Sequence, residues 1–270
     1  MRQIFRKFFA DRGTHLAAMI AYFALLSFVP LLFLALALLG LVGRADASSY
    51  LVTELKRTLP GTSVSGIVSV VRTIQRNAAT LGIIGGAALL WTSLSLFSVL
   101  ESALNIVYGR PNRSFVRGKT VAFLFMLGSL VTLFVGLVVG SIGFDLLKRH
   151  VGGFVGNGYV AYTLSAIVSA LFIFLFLFSA YYRLTNAPLT AREVLPGALV
   201  STLALESTFQ VLPVYLRLSK HVPALQALGG PAILLVWLYV MANVLVFGAE
   251  LNWWAKRRLG EVEEEPTGLA

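Results

Sequence analysis

Six stretches of 24–28 residues run through this chain with at most two charged side chains each: residues 16–43, 81–107, 120–144, 159–184, 194–217 and 231–254. A bilayer hydrocarbon core about 30 Å thick is crossed by about 20 apolar residues in a helix, and each stretch exceeds that length. Membrane β-strands would instead be about 10 residues long and alternate in polarity, a pattern absent here. The chain is therefore expected to be all-α, a polytopic membrane protein with six transmembrane helices. Composition agrees, with 57% hydrophobic and 13% charged residues and a mean hydropathy of +0.82. A soluble domain would carry about 25% charged residues, and a water-exposed fold could not hide this much apolar surface. A soluble enzyme, a DNA-binding module and a disordered chain are excluded.

The connections set the topology. The first stretch follows Arg2, Arg6 and Lys7 and precedes Ala45-Asp46-Ala47, the outline of a cleavable leader. A leader's apolar region is about 7–15 residues, so a run from Leu16 to Gly43, kinked at Pro30, is read as a retained span. Thirteen Lys and Arg fall on the side that holds both termini, against nine opposite, five of them diluted over residues 44–80. The positive-inside rule then places both termini in the cytoplasm. The net charge of +10 is explained by helix ends anchored against anionic headgroups, without nucleic acid. Membrane lipids are the expected partners; the oligomeric state is not encoded. In the first connection, Leu51, Val52, Leu55 and Leu59, then Val64, Ile67, Val68, Val71 and Ile74, recur at helical spacing on either side of Pro60-Gly61, predicting two amphipathic helices on the outer surface. One transmembrane domain over residues 1–258 and an acidic, flexible tail over 259–270 complete the layout. There is no cysteine.

An ionisable group inside a membrane needs a partner, a wet cavity or a proton. Glu101, Glu206 and Glu250 lie within apolar stretches. Trp91, Ser95, Ser98, Ser102 and Asn105 form a polar stripe on the second span, with Glu101 beside it. Thr202, Glu206 and Gln210 repeat every four residues on the fifth span, and Tyr239, Asn243 and Glu250 share a face of the sixth. Three striped helices imply a polar interior. Glu101 and Glu250 lie near the cytoplasmic ends, level with Tyr22 and Arg183, while Glu206 lies near the midplane. Glu206, Glu101 and Glu250 are the candidate substrate- or proton-linked groups. Tyr22, Ser95, Asn105, Arg183, Thr202, Gln210, Asn243 and Asn252 are the candidate lining. Two competing readings stay open: the stripes are glue between helices, and Glu101 or Glu250 pairs with Arg183 or another arginine at the rim. Most glycines, among them Gly82, Gly85 and Gly197, are expected to let helices pack closely.

Four segments also carry a family resemblance: Ala17-Ala18-x-x-Ala21-Tyr22-Phe23-Ala24-Leu25-Leu26-Ser27-Phe28-Val29-Pro30, Ala103-Leu104-Asn105-x-x-Tyr108, Leu195-Pro196-Gly197-Ala198 and Phe247-Gly248-Ala249-Glu250-Leu251-Asn252. In this order they resemble the YihY/virulence factor BrkB family. The resemblance implies a bacterial inner-membrane protein with six spans and cytoplasmic termini, and singles out Tyr22, Asn105, Pro196, Gly197, Glu250 and Asn252. Members were once labelled as a ribonuclease, but the residues do not support that chemistry. Metal-dependent phosphodiester cleavage needs clustered carboxylates or histidines. His15, His150 and His221 fall in three separate connections. The glycine-rich Gly152–Gly158 loop lacks the lysine of a phosphate-binding loop, and the connections are too short for a soluble catalytic domain. No catalytic residue, metal or cofactor is expected, nor nucleic-acid binding; an integral-membrane enzyme acting on lipids, with Glu101 and Glu250 as acid and base, stays open as a lesser alternative. The sequence supports a transporter of a small solute or lipid/envelope component through a polar cavity, or alternatively a scaffold or envelope assembly factor.

Overall fold

A computed structural model describes residues 2–41, 78–129, 131–132, 158–219 and 230–263, and no strand occurs among them. The helices are α1 (Arg2–Ala10), α2 (Gly13–Leu41), α3 (Ala78–Val107), α4 (115–129), α5 (Gly158–Ser179), α6 (Ala191–Ser219) and α7 (Gly230–Glu263). Among the described residues, four segments are long and apolar enough to cross a membrane: Leu90–Val107, Ala166–Leu184, Ala191–Leu218 and Gly230–Arg258. Gly13–Phe28 is a shorter apolar stretch of α2, which itself runs through Pro30. The third expected span begins as α4. Its continuation, and the two amphipathic helices expected in the first connection, lie outside the described residues. Helix α7 continues to Glu263, into the stretch expected to be a flexible tail.

Lipid as solvent explains the surface. Ile167, Leu171 and Leu175 of α5, and Leu199, Leu203 and Val214 of α6, are among many large apolar side chains left exposed. Facing water, so many would form an aggregating patch; facing acyl chains they cost nothing. The buried charged groups, Glu101 and Glu250, and the buried amides, Asn105 and Asn252, lie instead towards the end of the bundle where α1, the 108–114 turn, the 185–190 turn and the last part of α7 meet. A multi-pass membrane protein is the result.

Helix α1 is amphipathic: Ile4 and Phe8, one turn apart, are buried, while Arg2, Gln3 and Arg6 are exposed. It ends where Arg12 takes a left-handed conformation, φ 55°. The next residue must be glycine, because a Cβ on Gly13 would enter the Phe8 ring. The chain then turns straight into α2, whose Ala17 and Ala21 are fully buried. Helix α7 packs against α6 and α2, α2 also against α3, and α5 against α6.

The α6–α7 seam is the tightest of these contacts. The Gly197 N–H donates to Asn252 Oδ1 at 2.6 Å, and a Cβ on Gly197 would overlap the Gly248 carbonyl and the Asn252 amide. A Cβ on Gly248 would overlap Ser201 Oγ and the Tyr181 hydroxyl. Tyr181, fully buried, donates to the Leu245 carbonyl at 2.8 Å and shares a 3.1 Å hydrogen bond with Ser201 Oγ. Small residues let the two backbones close in, and polar groups then satisfy one another across the gap. Tyr181 reaches this seam from a π-helical turn, Ala180–Leu184, that closes α5.

Candidate functional site

At the buried polar end two buried carboxylates, Glu101 and Glu250, each meet a cation. Arg113, in the turn after α3, places Nη1 2.8 Å from Glu101 Oε1. The same guanidinium donates to the carbonyls of Leu184 (2.5 Å), Arg183 (3.2 Å) and Thr185 (3.0 Å). These carbonyls end the π-turn of α5, where helical backbone has no further N–H to satisfy it. A cation there also meets the negative end of the helix dipole. Arg113 thus joins a carboxylate inside α3 to the end of α5. Its planar fork reaches four oxygens together, which an ammonium on a single stem cannot. Arg113→Lys is therefore expected to lower stability by about 1–2 kcal/mol, read as a lower melting temperature in detergent. An unchanged melting temperature would show that the charge alone suffices.

Asn105, fully buried one turn beyond Glu101, ties the same turns together. Its Nδ2 donates to Asn112 Oδ1 (3.1 Å), and its Oδ1 accepts the Asn186 N–H (2.7 Å). Asn112 donates onward to Ser102 Oγ (3.0 Å), and Asn186 Nδ2 to the Pro111 carbonyl (3.0 Å).

The second pair crosses from α1 to α7. Lys7 Nζ lies 2.9 Å from Glu250 Oε2, and the Glu250 side chain is wholly inaccessible. Lys7 also contacts Asp11, donates to the Val107 carbonyl (2.7 Å) and sits 4.4 Å from the Trp253 ring centroid. Neither Glu250 oxygen receives a well-directed hydrogen bond, so charge rather than hydrogen-bond geometry holds the contact. Asn252 Nδ2 and the hydroxyls of Tyr108 and Thr185 are likewise buried without a hydrogen bond. Burial pushes the Tyr108 phenol above its ordinary range, with Tyr181, Glu193 and Glu250 adding to the effect, so Tyr108 remains a neutral donor.

The candidate residues divide by location. Glu101, Asn105, Glu250 and Asn252 gather at this end. Glu206 does not: it lies nine residues beyond Gly197, about 13 Å of helix at 1.5 Å per residue, half-buried, and accepts from Ser169 Oγ at 3.1 Å. Several stripe residues bond within their own helix: Ser95 to the Trp91 carbonyl, Thr202 to Ala198 and Asn243 to Tyr239, each at 2.7 Å. Tyr22 and Gln210 are exposed. The Arg183 guanidinium stacks over Tyr182 at 5.5 Å rather than meeting a glutamate; its carbonyl serves Arg113 instead. Sequence reasoning missed Lys7, Tyr181 and Ser201 as members of the cluster; it left open that Glu101 pairs with an arginine at the rim, and that arginine is Arg113. Lys7 had a signal: it flanks the buried Ile4/Phe8 face and precedes Asp11 by one helical turn. Among the described residues no three His, Asp or Glu side chains come together to hold a metal ion.

All four segments with the family resemblance contribute to this end: Ala17 and Ala21 from α2, Asn105 from α3 and Tyr108 just after it, Gly197 from α6, Gly248, Glu250 and Asn252 from α7. The sequence pattern of the family described as Virulence factor BrkB matches residues 4–268. The chain belongs to the virulence factor BrkB family. Among relatives of this BrkB-family chain, a Bacillus subtilis (strain 168) protein named ribonuclease-like protein YfkH is 24% identical, over 98% of each chain. A UPF0761 membrane protein of Rhodospirillum rubrum is 31% identical over 90% of this chain and 57% of its own length. One of Pseudoalteromonas atlantica is 28% identical over 90% and 81%. The chain thus spans little more than half of the Rhodospirillum relative. No solved structure is significantly similar.

Proposed function

We propose that this BrkB-family chain is a bacterial inner-membrane transporter of a small solute or lipid/envelope component. Both termini lie in the cytoplasm, and residues 1–258 form one transmembrane domain. The charged end of the bundle is its closed cytoplasmic gate. The observation that carries this reading is the buried Lys7–Glu250 pair between α1 and α7. Replacing a buried ion pair by packed apolar side chains is often neutral or stabilising, whereas opening one exposes both charges to water. Such a pair suits a contact that must break and re-form. Its orientation follows from the Lys and Arg at the same end, among them Arg2, Arg6, Lys7, Arg12, Arg110, Arg113, Arg117, Lys119 and Lys256–Arg258.

In this reading Glu206, deeper in the bundle, is the substrate- or proton-linked group. Glu101 and Glu250 exchange their partners when the gate opens. Tyr22, Ser95, Asn105, Arg183, Thr202, Gln210, Asn243 and Asn252 line the path. The chain is read as non-enzymatic; among the described residues no three His, Asp or Glu side chains come together to hold a metal ion. The ribonuclease-like name belongs to the Bacillus relative.

A second reading, a scaffold or envelope assembly factor, is favoured by the own-helix hydrogen bonds of Ser95, Thr202 and Asn243, which need no water. Because the chain has no cysteine, single cysteines at Ser95, Thr202 and Asn243 separate the two. In membrane vesicles the transporter should react slowly with small aqueous thiol reagents from the cytoplasmic side. Reaction should be several-fold faster in Lys7→Met, which strands the Glu250 charge in the closed gate. No labelling at any of the three positions from either side, in either background, would leave the scaffold.

A further inference from the structure

A cavity of about 250 Å³ opens beside the gate, lined by Tyr108, Arg110, Ala187, Trp253, Lys256 and Arg257. It is smaller than the roughly 300–1,000 Å³ of sites that enclose drug-sized molecules, which suits a headgroup or a small anion. Its own lining carries only positive charge, and the nearby acids are already engaged: Glu250, close enough to act on Tyr108, faces Lys7 at 2.9 Å. Three cations line it, and the acid in contact, Glu193, lies 3.9 Å from Lys256 Nζ and already accepts the Thr190 N–H at 2.7 Å. Lys256 is further held by the Pro188 carbonyl at 2.5 Å.

The two arginines are differently placed. Arg257 stacks over Trp253 at 5.1 Å, and Arg110 has no acidic partner among the described residues. A stacked guanidinium keeps its in-plane N–H donors available, and that planar fork matches the oxygens of a phosphate. The Tyr108 hydroxyl adds an independent sign of a missing ligand. The side chain is only 9% exposed and lines the cavity, yet its hydroxyl has no hydrogen-bond partner. Leaving a buried donor unpaired costs about 1–3 kcal/mol, which an anion accepting from it would recover. Trp253 and Ala187 supply the apolar remainder, and an indole at the end of a membrane span sits at headgroup depth.

We propose that this cavity binds a phosphate group, with Arg110 and Arg257 on its charged oxygens and Tyr108 donating to one of them. The surroundings favour the phosphate of an anionic phospholipid. The site does not depend on the transport reading, since a scaffold would use it equally. It does touch the gate: Trp253 also lies beneath Lys7, and Tyr108 follows Val107, whose carbonyl Lys7 holds.

The test uses the purified full chain in uncharged detergent, titrated with dihexanoyl-phosphatidylglycerol, dihexanoylglycerol, glycerol phosphate and inorganic phosphate, with binding followed by melting temperature and native mass spectrometry. Saturable binding of the phosphatidylglycerol is expected, with none of the phosphate-free dihexanoylglycerol. Affinity should fall at least tenfold in Arg110→Gln/Arg257→Gln and severalfold in Tyr108→Phe. It should hold in Arg2→Gln/Arg6→Gln, which removes the same charge from the exposed face of α1. Tyr108→Phe deletes only an unpartnered hydroxyl and keeps the fold, so it decides the matter if the double arginine variant misfolds. Glycerol phosphate or inorganic phosphate binding as tightly as the lipid would keep the site and make its ligand a free phosphate. Equal binding of dihexanoylglycerol, undiminished affinity in Tyr108→Phe and the arginine variant, or an equal loss in Arg2→Gln/Arg6→Gln would overturn the proposal.

Discussion

Lys7→Met is expected to destabilise the folded chain by about 3–5 kcal/mol, the usual loss when one partner of a buried ion pair is removed. The size follows from Glu250, which is wholly inaccessible, has Lys7 as its cationic partner, and accepts no well-directed hydrogen bond elsewhere. Without Lys7 the carboxylate would be left beside Asp11 in an apolar surround, and the Val107 carbonyl would lose its donor. Adding Glu250→Gln removes the stranded charge, so the double variant should recover most of the loss. A double-mutant cycle would then give a coupling above about 2 kcal/mol, as expected for directly contacting groups. Denaturant unfolding in mixed micelles, with melting temperature as a second readout, measures all four corners. A Lys7→Met variant within 1 kcal/mol of the parent (about a fivefold change in the folded-to-unfolded ratio) would show that α1 does not seat Lys7 on Glu250, and the gate assignment would fall with it.

Much of this architecture was legible because lipid imposes one rule along the whole chain: apolar runs become spans, and charges inside them need an explanation. Glu101 and Glu250 were found that way, and both are paired with cations at the edge of the bundle. Which cation was not legible. Arg183 lies at the right height, but the π-turn presents its carbonyl to the cluster while its guanidinium stacks on Tyr182. Arg113 reaches Glu101 across a turn, and Lys7 arrives on a separate nine-residue helix. Its charge counted towards topology, which hid its role as a partner.

The stripes illustrate a different ambiguity. A polar row facing a neighbouring helix and a row of hydroxyls bonding back to their own helix both repeat at three and four residues. Ser95, Thr202 and Asn243 follow the second pattern, Ser98 bonds both to its own helix and to Lys119 of α4, and periodicity alone cannot separate the two. Asn105 is the opposite case. It continues the same stripe, yet both ends of its amide leave the helix to hold Asn112 and Asn186, because it lies where α3 ends and its neighbours are turns.

Gly197→Ala is expected to be the most damaging single-methyl change in the described part of the bundle. Alanine favours a helix over glycine by about 1 kcal/mol, so propensity alone predicts stabilisation. Packing reverses the sign. The new Cβ would overlap the Gly248 carbonyl, a main-chain atom inside α7 that cannot rotate away. Relief requires α6 and α7 to move apart, which lengthens the bond from the Gly197 N–H to Asn252 and strains the Tyr181–Ser201–Leu245 hydrogen bonds further along the same seam. Gly248→Ala should be milder, about 1–3 kcal/mol for overpacking, because its Cβ would meet the side-chain oxygens of Ser201 and Tyr181. Gly128→Ala in α4 supplies the control: nothing lies within 4 Å of a Cβ built there, so it should be neutral or slightly stabilising. The expected order of melting temperature and of membrane accumulation is Gly128→Ala at or above the parent, then Gly248→Ala, then Gly197→Ala. If Gly197→Ala instead melts with Gly128→Ala, the two backbones do not approach this closely. Gly197 would then serve the helix only as a flexible point beside Pro196.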